Sequence, residues 1–174
     1  MFFVFAVAVS AQEIGTKPTK PFTISIGAMA GLPVGDYATG VQSSDVFKMA
    51  YGFDLQAEFP VAPSLGLTLS AGYVDWVWKS GIKEGVEAIM GQSVSFSMIP
   101  VFGGAKYYFT DKFYGSAQLG VTFFTMKDAG NAFIFAPGLG IKVTDNFDLL
   151  LKYQTASKEG SHFSFLGLRA GVSF

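Results

Sequence analysis

FSFLGLRAGVSF, residues Phe163–Phe174, is the stretch whose reading decides the fold. Successive side chains of an extended strand point to opposite faces. Leu166, Leu168, Ala170, Val172 and Phe174 therefore share one face, and Gly167, Arg169, Gly171 and Ser173 share the other. An apolar strand at the end of a soluble domain offers an open edge for pairing with other chains. In a closed membrane barrel the last strand pairs with the first and its apolar face meets lipid. The rest of the chain should then carry the same two-residue alternation, with the apolar parity outward.

Upstream the alternation recurs in eight units separated by turn chemistry. The first spans about 22–32, with Phe22, Ile24, Ile26, Ala28 and Ala30 opposite Thr23, Ser25, Gly27 and Gly31. The second, about 49–59, sets Tyr51, Phe53, Leu55, Ala57 and Phe59 against Gly52, Asp54, Gln56 and Glu58. The third, about 65–76, sets Leu65, Leu67, Leu69, Ala71 and Tyr73 against Gly66, Thr68, Ser70 and Gly72. The fourth, about 92–109, changes parity: Val94, Phe96 and Met98 are even, whereas Ala105, Tyr107 and Phe109 are odd. A one-residue bulge near Pro100–Gly104 would reconcile the two halves. The fifth alternates from Phe113 to Phe123, and the sixth places Phe133, Phe135, Leu139, Ile141 and Val143 opposite Ala136, Gly138, Gly140 and Lys142. The seventh places Phe147, Leu149, Leu151 and Tyr153 opposite Asp148, Lys152 and Gln154, and the eighth is the opening stretch.

The connections alternate in length. Long or polar segments follow strands one, three, five and seven, including loops 33–48 and 79–91, and tight turns follow two, four and six. Outer-membrane barrels have long loops outside and short turns in the periplasm. The expected fold is thus all-β, an eight-stranded antiparallel up-and-down transmembrane β-barrel over 22–174 with both termini periplasmic. Two aromatic girdles are expected at the interfaces. Phe22, Phe59, Tyr107, Phe109, Phe113, Phe147 and Phe174 would form the periplasmic one, and Tyr51, Trp76, Trp78, Phe123, Phe133 and Phe163 the outer one.

Composition agrees. Of 174 residues, 50% are hydrophobic and 14% charged, against roughly 25% charged in an ordinary soluble domain. No run after residue 11 approaches the ~18 apolar residues of a membrane helix, so the apolar content is held in alternation. The net charge of −1 gives no basic stripe for a nucleic-acid partner. The absence of cysteine removes disulfides and thiolate chemistry, and one histidine with scattered carboxylates gives no metal site. No cofactor is expected. Met1–Ala11, MFFVFAVAVSA, reads as the apolar region and small-residue cleavage site of a signal peptide. It lacks the usual leading Lys or Arg, so the expectation is a signal truncated at its start. Residues 12–21, with Pro18 and Pro21, read as a flexible periplasmic lead-in.

The charged residues within strands share the inward parity: Asp54, Glu58, Lys106, Lys142, Asp148, Lys152 and Arg169. An eight-stranded barrel is just wide enough to be filled by side chains, and buried charges there must pair. Arg169 should reach Asp54 or Glu58 across strand one. The expected arrangement is an ion-pair network that plugs the lumen; a narrow channel for ions or small solutes is the alternative.

Met98–Phe123 (MIPVFGGAKYYFTDKFYGSAQLGVTF), followed by FAPGLGIKV, NFDLLLKYQ and FLGLRAGVSF, resembles the small bacterial outer-membrane beta-barrel domain family. It is also similar to the transmembrane domain of outer membrane protein A. The resemblance implies location in the outer membrane of a Gram-negative bacterium, contact with its lipid, and insertion by the barrel assembly machinery. Phe174 resembles the terminal aromatic signal that this machinery reads. His162 and Ser164 resemble the His-x-Ser pair of the lipid A deacylases, in which a histidine base activates a serine. Those enzymes place a Glu after the pair; here Glu159 precedes it and no acid follows. The expected role is therefore structural or surface interaction, without catalysis, with an extracellular ligand reached through loops 33–48 and 79–91. A narrow channel comes second and a lipid-modifying enzyme third.

Overall fold

The computed structural model describes residues 22–38, 40–91, 93, 95–126, 130–158 and 161–174. The signal peptide and the lead-in expected over 1–21 lie outside the described residues.

Eight strands close into one antiparallel barrel: β1 (Thr23–Pro33), β4 (Phe47–Ala62), β5 (Leu65–Trp78), β6 (Phe96–Tyr108), β7 (Phe113–Phe124), β8 (Asn131–Lys142), β9 (Phe147–Lys158) and β10 (Ser161–Ser173). Each pairs with its neighbour in sequence, and β1 closes on β10 with Ile26 opposite Val172 and Met29 opposite Arg169. Closure satisfies the strand edges, as a backbone crossing hydrocarbon requires. Between β1 and β4 lie the small hairpin β2 (Asp36–Ala38) and β3 (Val41–Gln42) and a single turn of helix, α1 (Ser43–Val46). A second helix, α2 (Ser80–Met90), follows β5.

The alternation sorts as the sequence requires. Leu55, Leu69, Leu119, Leu139, Leu151 and Leu168 are exposed on the outside, whereas Asp54, Gln56, Ser70, Lys106, Gln118, Lys152 and Arg169 are buried inside. This inversion of a soluble domain, with exposed leucines and buried charges, defines the outer surface as the lipid face. It makes the protein an integral barrel of the bacterial outer membrane, with the short turns and the first and last strand ends on the periplasmic side.

The periplasmic girdle forms on the lipid face: Phe22 lies 6.2 Å from Phe59 and Tyr107 lies 5.6 Å from Phe109, ring centre to ring centre. The outer girdle is different from the one expected. Tyr51, Phe123 and Phe133 are exposed, but Trp76 and Phe163 are buried and Trp78 packs beside them. Register decides this. Trp76 pairs with Ala50 and Phe96 on the inward parity, and Phe163 shares its parity with buried Phe165 and Arg169.

The bulge expected at Pro100–Gly104 is absent. β6 keeps one register against β7 from Met98 to Tyr108. Against β5 the pairing stops at Val101 and resumes at Met98 in the same register. Pro100 has no N–H to give to the ladder, so a rung is missing and no residue is inserted. The parity change has another cause: Phe96 and Met98 face inward with Phe102, so β6 carries apolar residues inside as well as outside. Two expected loops also hold regular structure, with hairpin and α1 in 33–48 and α2 in 79–91. β4 starts at Phe47 rather than 49 and runs to Ala62, and β6 starts at Phe96 rather than 92.

Candidate functional site in the barrel lumen

The lumen is filled in two tiers. The tier toward the periplasm is charged. Arg169 on β10 reaches across β1 to Asp54 on β4, and its Nε donates to both carboxylate oxygens at 2.9 and 2.8 Å. Its Nη2 donates to Asp54 Oδ1 at 2.7 Å and to Ser25 Oγ at 3.2 Å. Its Nη1 lies 3.6 Å from Asp148 Oδ1 on β9, and Tyr114 on β7 donates its hydroxyl to the other oxygen of Asp148. One planar guanidinium thus links four strands, which its fixed fork of donors permits and an ammonium would not.

The crossing needs space. Gly27 of β1 lies between the partners, paired with Gly171 on one side and Asp54 on the other. A side chain at Gly27 or Gly171 would run into the Arg169 guanidinium. The glycines on the inward face are therefore the room in which the network sits.

Lower in the lumen, Lys106 Nζ lies 3.1 Å from Glu58 Oε2, and Tyr108 donates to Glu58 Oε1 at 2.6 Å. Lys106 also lies over the Tyr114 ring at 4.8 Å, and Lys142 over the Tyr108 ring at 4.5 Å. Higher up, Gln118 Nε2 donates to Gln56 Oε1 and Ser70 Oγ, both at 3.2 Å. Lys152 is buried with its ammonium 5.6 Å from the Phe102 ring centre. Arg169, Asp54 and Asp148 thus form one group and Lys106 and Glu58 a second. Lys142 and Lys152 join these groups through no ion pair among the described residues.

The outer tier is apolar. Phe96 is the hub, 4.7 Å from Phe163 and 5.5 Å from both Phe47 and Phe124. Trp76 meets Phe47 at 5.0 Å and Phe165 at 5.6 Å. Val46 of α1 and Met126 pack onto the same cluster. The sequence reading, which filled the lumen with charged and polar groups alone, missed this tier. Its signal was present in Trp76, Phe96, Met98, Phe163 and Phe165, all on the inward parity of their strands.

At the periplasmic end the lumen opens into a vestibule of about 590 Å³ lined by Glu58, Lys106, Tyr108, Lys142 and Asp148 and by the turns. Phe174 is exposed at its rim, its N–H donating to Ile24 O at 2.9 Å.

His162 and Ser164 do not engage each other. His162 Nδ1 lies 3.0 Å from Ser157 Oγ, while Ser164 donates to Thr155 Oγ1 at 2.7 Å. The serine proton is directed away from the imidazole, so the nucleophile–base pair of the enzyme reading is not assembled.

Fold, inverted surface and filled lumen together define a small eight-stranded outer-membrane barrel. The family described as "Putative MetA-pathway of phenol degradation" matches residues 3–171, and the chain belongs to that family. No curated protein matches the chain by sequence. Among solved structures, it is similar to Ail, the attachment invasion locus protein of Yersinia pestis, in complex with the heparin analogue sucrose octasulfate. There the TM-score is 0.58 at 18% identity, covering 88% of this chain and 97% of that one. The N-terminal β-barrel domain of Pseudomonas aeruginosa OprF gives 0.51 at 14% identity, covering 87% and 97%. A de novo designed transmembrane β-barrel gives 0.52 at 17% identity, covering 90% and 98%. At these identities the likeness is one of fold.

Proposed function

We propose that this protein is a non-conducting, non-catalytic barrel that holds its outer segments at the cell surface for interaction. The observation that carries the reading is the two-tier filling of the lumen. A solute entering from the periplasm meets the Arg169–Asp54–Asp148 cluster, and one entering from outside meets the Phe96 cluster. Eight strands leave little lumen beyond what side chains fill.

The outer segments supply the surface. α2 carries Ile82, Val86 and Ile89 along one stripe, and Ile89 is 88% exposed. On its other side Lys83 lies 3.7 Å from Glu87. A folded helix with an uncovered apolar stripe fits a protein contact. α2 carries one lysine, Lys83, against two glutamates, Glu84 and Glu87, so it does not present a basic face for a sulfated sugar such as the analogue bound to Ail. The family description names phenol degradation; passage of phenol would require both tiers to part.

The test is single-channel recording of the refolded barrel in planar bilayers. The reading expects no steady conductance, and a large, steady conductance sensitive to Lys142 or Lys152 would replace it with the channel.

A further inference from the structure

We infer that the lipid face over β6–β9 contains a binding site for one phospholipid of the periplasmic leaflet, whose acyl chain lies in a trough in the barrel wall. This goes beyond the general contact that any membrane barrel makes with lipid.

The site arises from a cluster of small outward residues. Ala105, Ala117 and Pro137 are directly paired across β6, β7 and β8, and Gly115 lies in the adjoining row. Ala105, Ala117 and Pro137 floor an open depression of about 590 Å³ in the barrel wall, and the edge of the Phe109 ring lies over Gly115 beside it. Tyr107, Leu139, Leu151 and Tyr153 rise around it as exposed walls.

The position of the trough selects its occupant. It lies within the lipid-facing band, continuous with exposed Leu119, Phe135 and Leu168, so hydrocarbon is the medium that reaches it. A void there would forfeit dispersion contacts on every lining atom, and a flexible acyl chain can restore them. A second barrel presents a convex face, which would touch the ridges of Tyr107 and Leu139 and leave the floor empty. The periplasmic end of the trough opens at Tyr107, which meets Phe109 edge-to-face in the girdle. Tyrosine at that depth places an apolar ring in the hydrocarbon and a hydroxyl among headgroups. A phospholipid would thus have its chain on Ala117 and its glycerol beside the Tyr107 hydroxyl.

The test uses the whole barrel, reconstituted in nanodiscs of phosphatidylethanolamine and phosphatidylglycerol and released into native mass spectrometry. Wild-type protein should emerge with one phospholipid retained. Ala117→Phe, which fills the floor, should lower the retained fraction at least tenfold. Leu55→Phe, on the lipid face of β4 away from the trough, should leave it unchanged. Heat-dependent gel mobility reports whether each variant is a folded barrel; should Ala117→Phe fail to fold, Leu139→Ala lowers a wall instead and should also reduce retention. A wild-type barrel that emerges lipid-free, one that emerges as a lipid-free dimer, or equal retention by the folded trough variant would each overturn the site.

Discussion

Arg169 and Asp54 form a bidentate pair across an intervening strand, the guanidinium of β10 passing over Gly27 of β1 to meet the carboxylate of β4. The pair therefore holds the closing seam of the barrel from inside, beside the backbone ladder between β1 and β10. Removing one partner leaves the other charged and buried, which costs about 3–5 kcal/mol. Arg169→Ala and Asp54→Ala should each destabilise the barrel by that amount in urea unfolding from phospholipid vesicles. The double variant Arg169→Met/Asp54→Asn should recover part of the loss, because it removes both charges of the pair at similar volume and leaves Asp148 held by the Tyr114 hydroxyl alone. Equal stability of Arg169→Ala and wild type would show that the pair contributes nothing.

Gly27 should be coupled to that pair. A methyl group at Gly27 meets the guanidinium, so Gly27→Ala should destabilise the wild type by overpacking, typically about 1–3 kcal/mol. With Arg169 already truncated to Ala the same substitution has room and should cost less. A double-mutant cycle measures the difference, and strict additivity would mean that the glycine is present for another reason.

The lipid parity can be tested at adjacent residues. Leu119 is exposed and Gln118 is buried with Gln56 and Ser70. Leu119→Arg should cost roughly 2–4 kcal/mol near the bilayer midplane. The chain has no cysteine, so single cysteines report cleanly. A lipid-phase maleimide should label Leu119→Cys and spare Gln118→Cys; the reverse pattern would turn the barrel inside out.

How far the sequence could be read depended on what each residue's parity meant. Strands β7 and β9 alternate apolar with polar or small residues, so their lipid face was legible, as was the inward set from Asp54 to Arg169. The fourth unit was not, because Phe96, Met98 and Phe102 point inward while Ile99, Val101 and Tyr107 point outward. A strand apolar on both faces has no visible alternation, and a bulge was the only local way to restore one. Trp76 and Phe163 were misread for a related reason: an aromatic near a strand end suits both a girdle and a lumen layer, and only cross-strand register separates them. The partners Tyr108 and Tyr114 belong to side chains meeting across strands 50 and 34 residues apart in sequence, which no local pattern reports. α2 lay in a segment with three glycines, Gly81, Gly85 and Gly91, and these masked its apolar stripe.

The Ser164 hydroxyl donates to Thr155, and His162 lies against Ser157. Ser164→Ala should therefore leave the acyl-chain number of lipid A unchanged when outer membranes of cells making the variant are compared with wild type by mass spectrometry. A change that depends on Ser164 would restore the deacylase reading.

The two tiers of the lumen should close it independently. Trp76→Ala with Phe96→Ala removes the hub of the outer tier but leaves Arg169, Asp54, Asp148 and Tyr114 in place below. Arg169→Ala opens the charged tier but leaves the aromatic rings above. Neither variant alone should give a steady conductance in planar bilayers, although the aromatic one should lose about 3–5 kcal/mol of stability for each large side chain truncated. The combination should conduct, because the hub of each tier is then gone and the lumen is thinned to smaller groups such as the Gln56–Ser70–Gln118 cluster. If Trp76→Ala/Phe96→Ala conducts by itself, the aromatic tier is the only barrier and the ion pairs act as lumen lining. If the combined variant folds and stays silent, the side chains left in the lumen, Gln56, Gln118, Lys152 and Phe102 among them, are enough to close it.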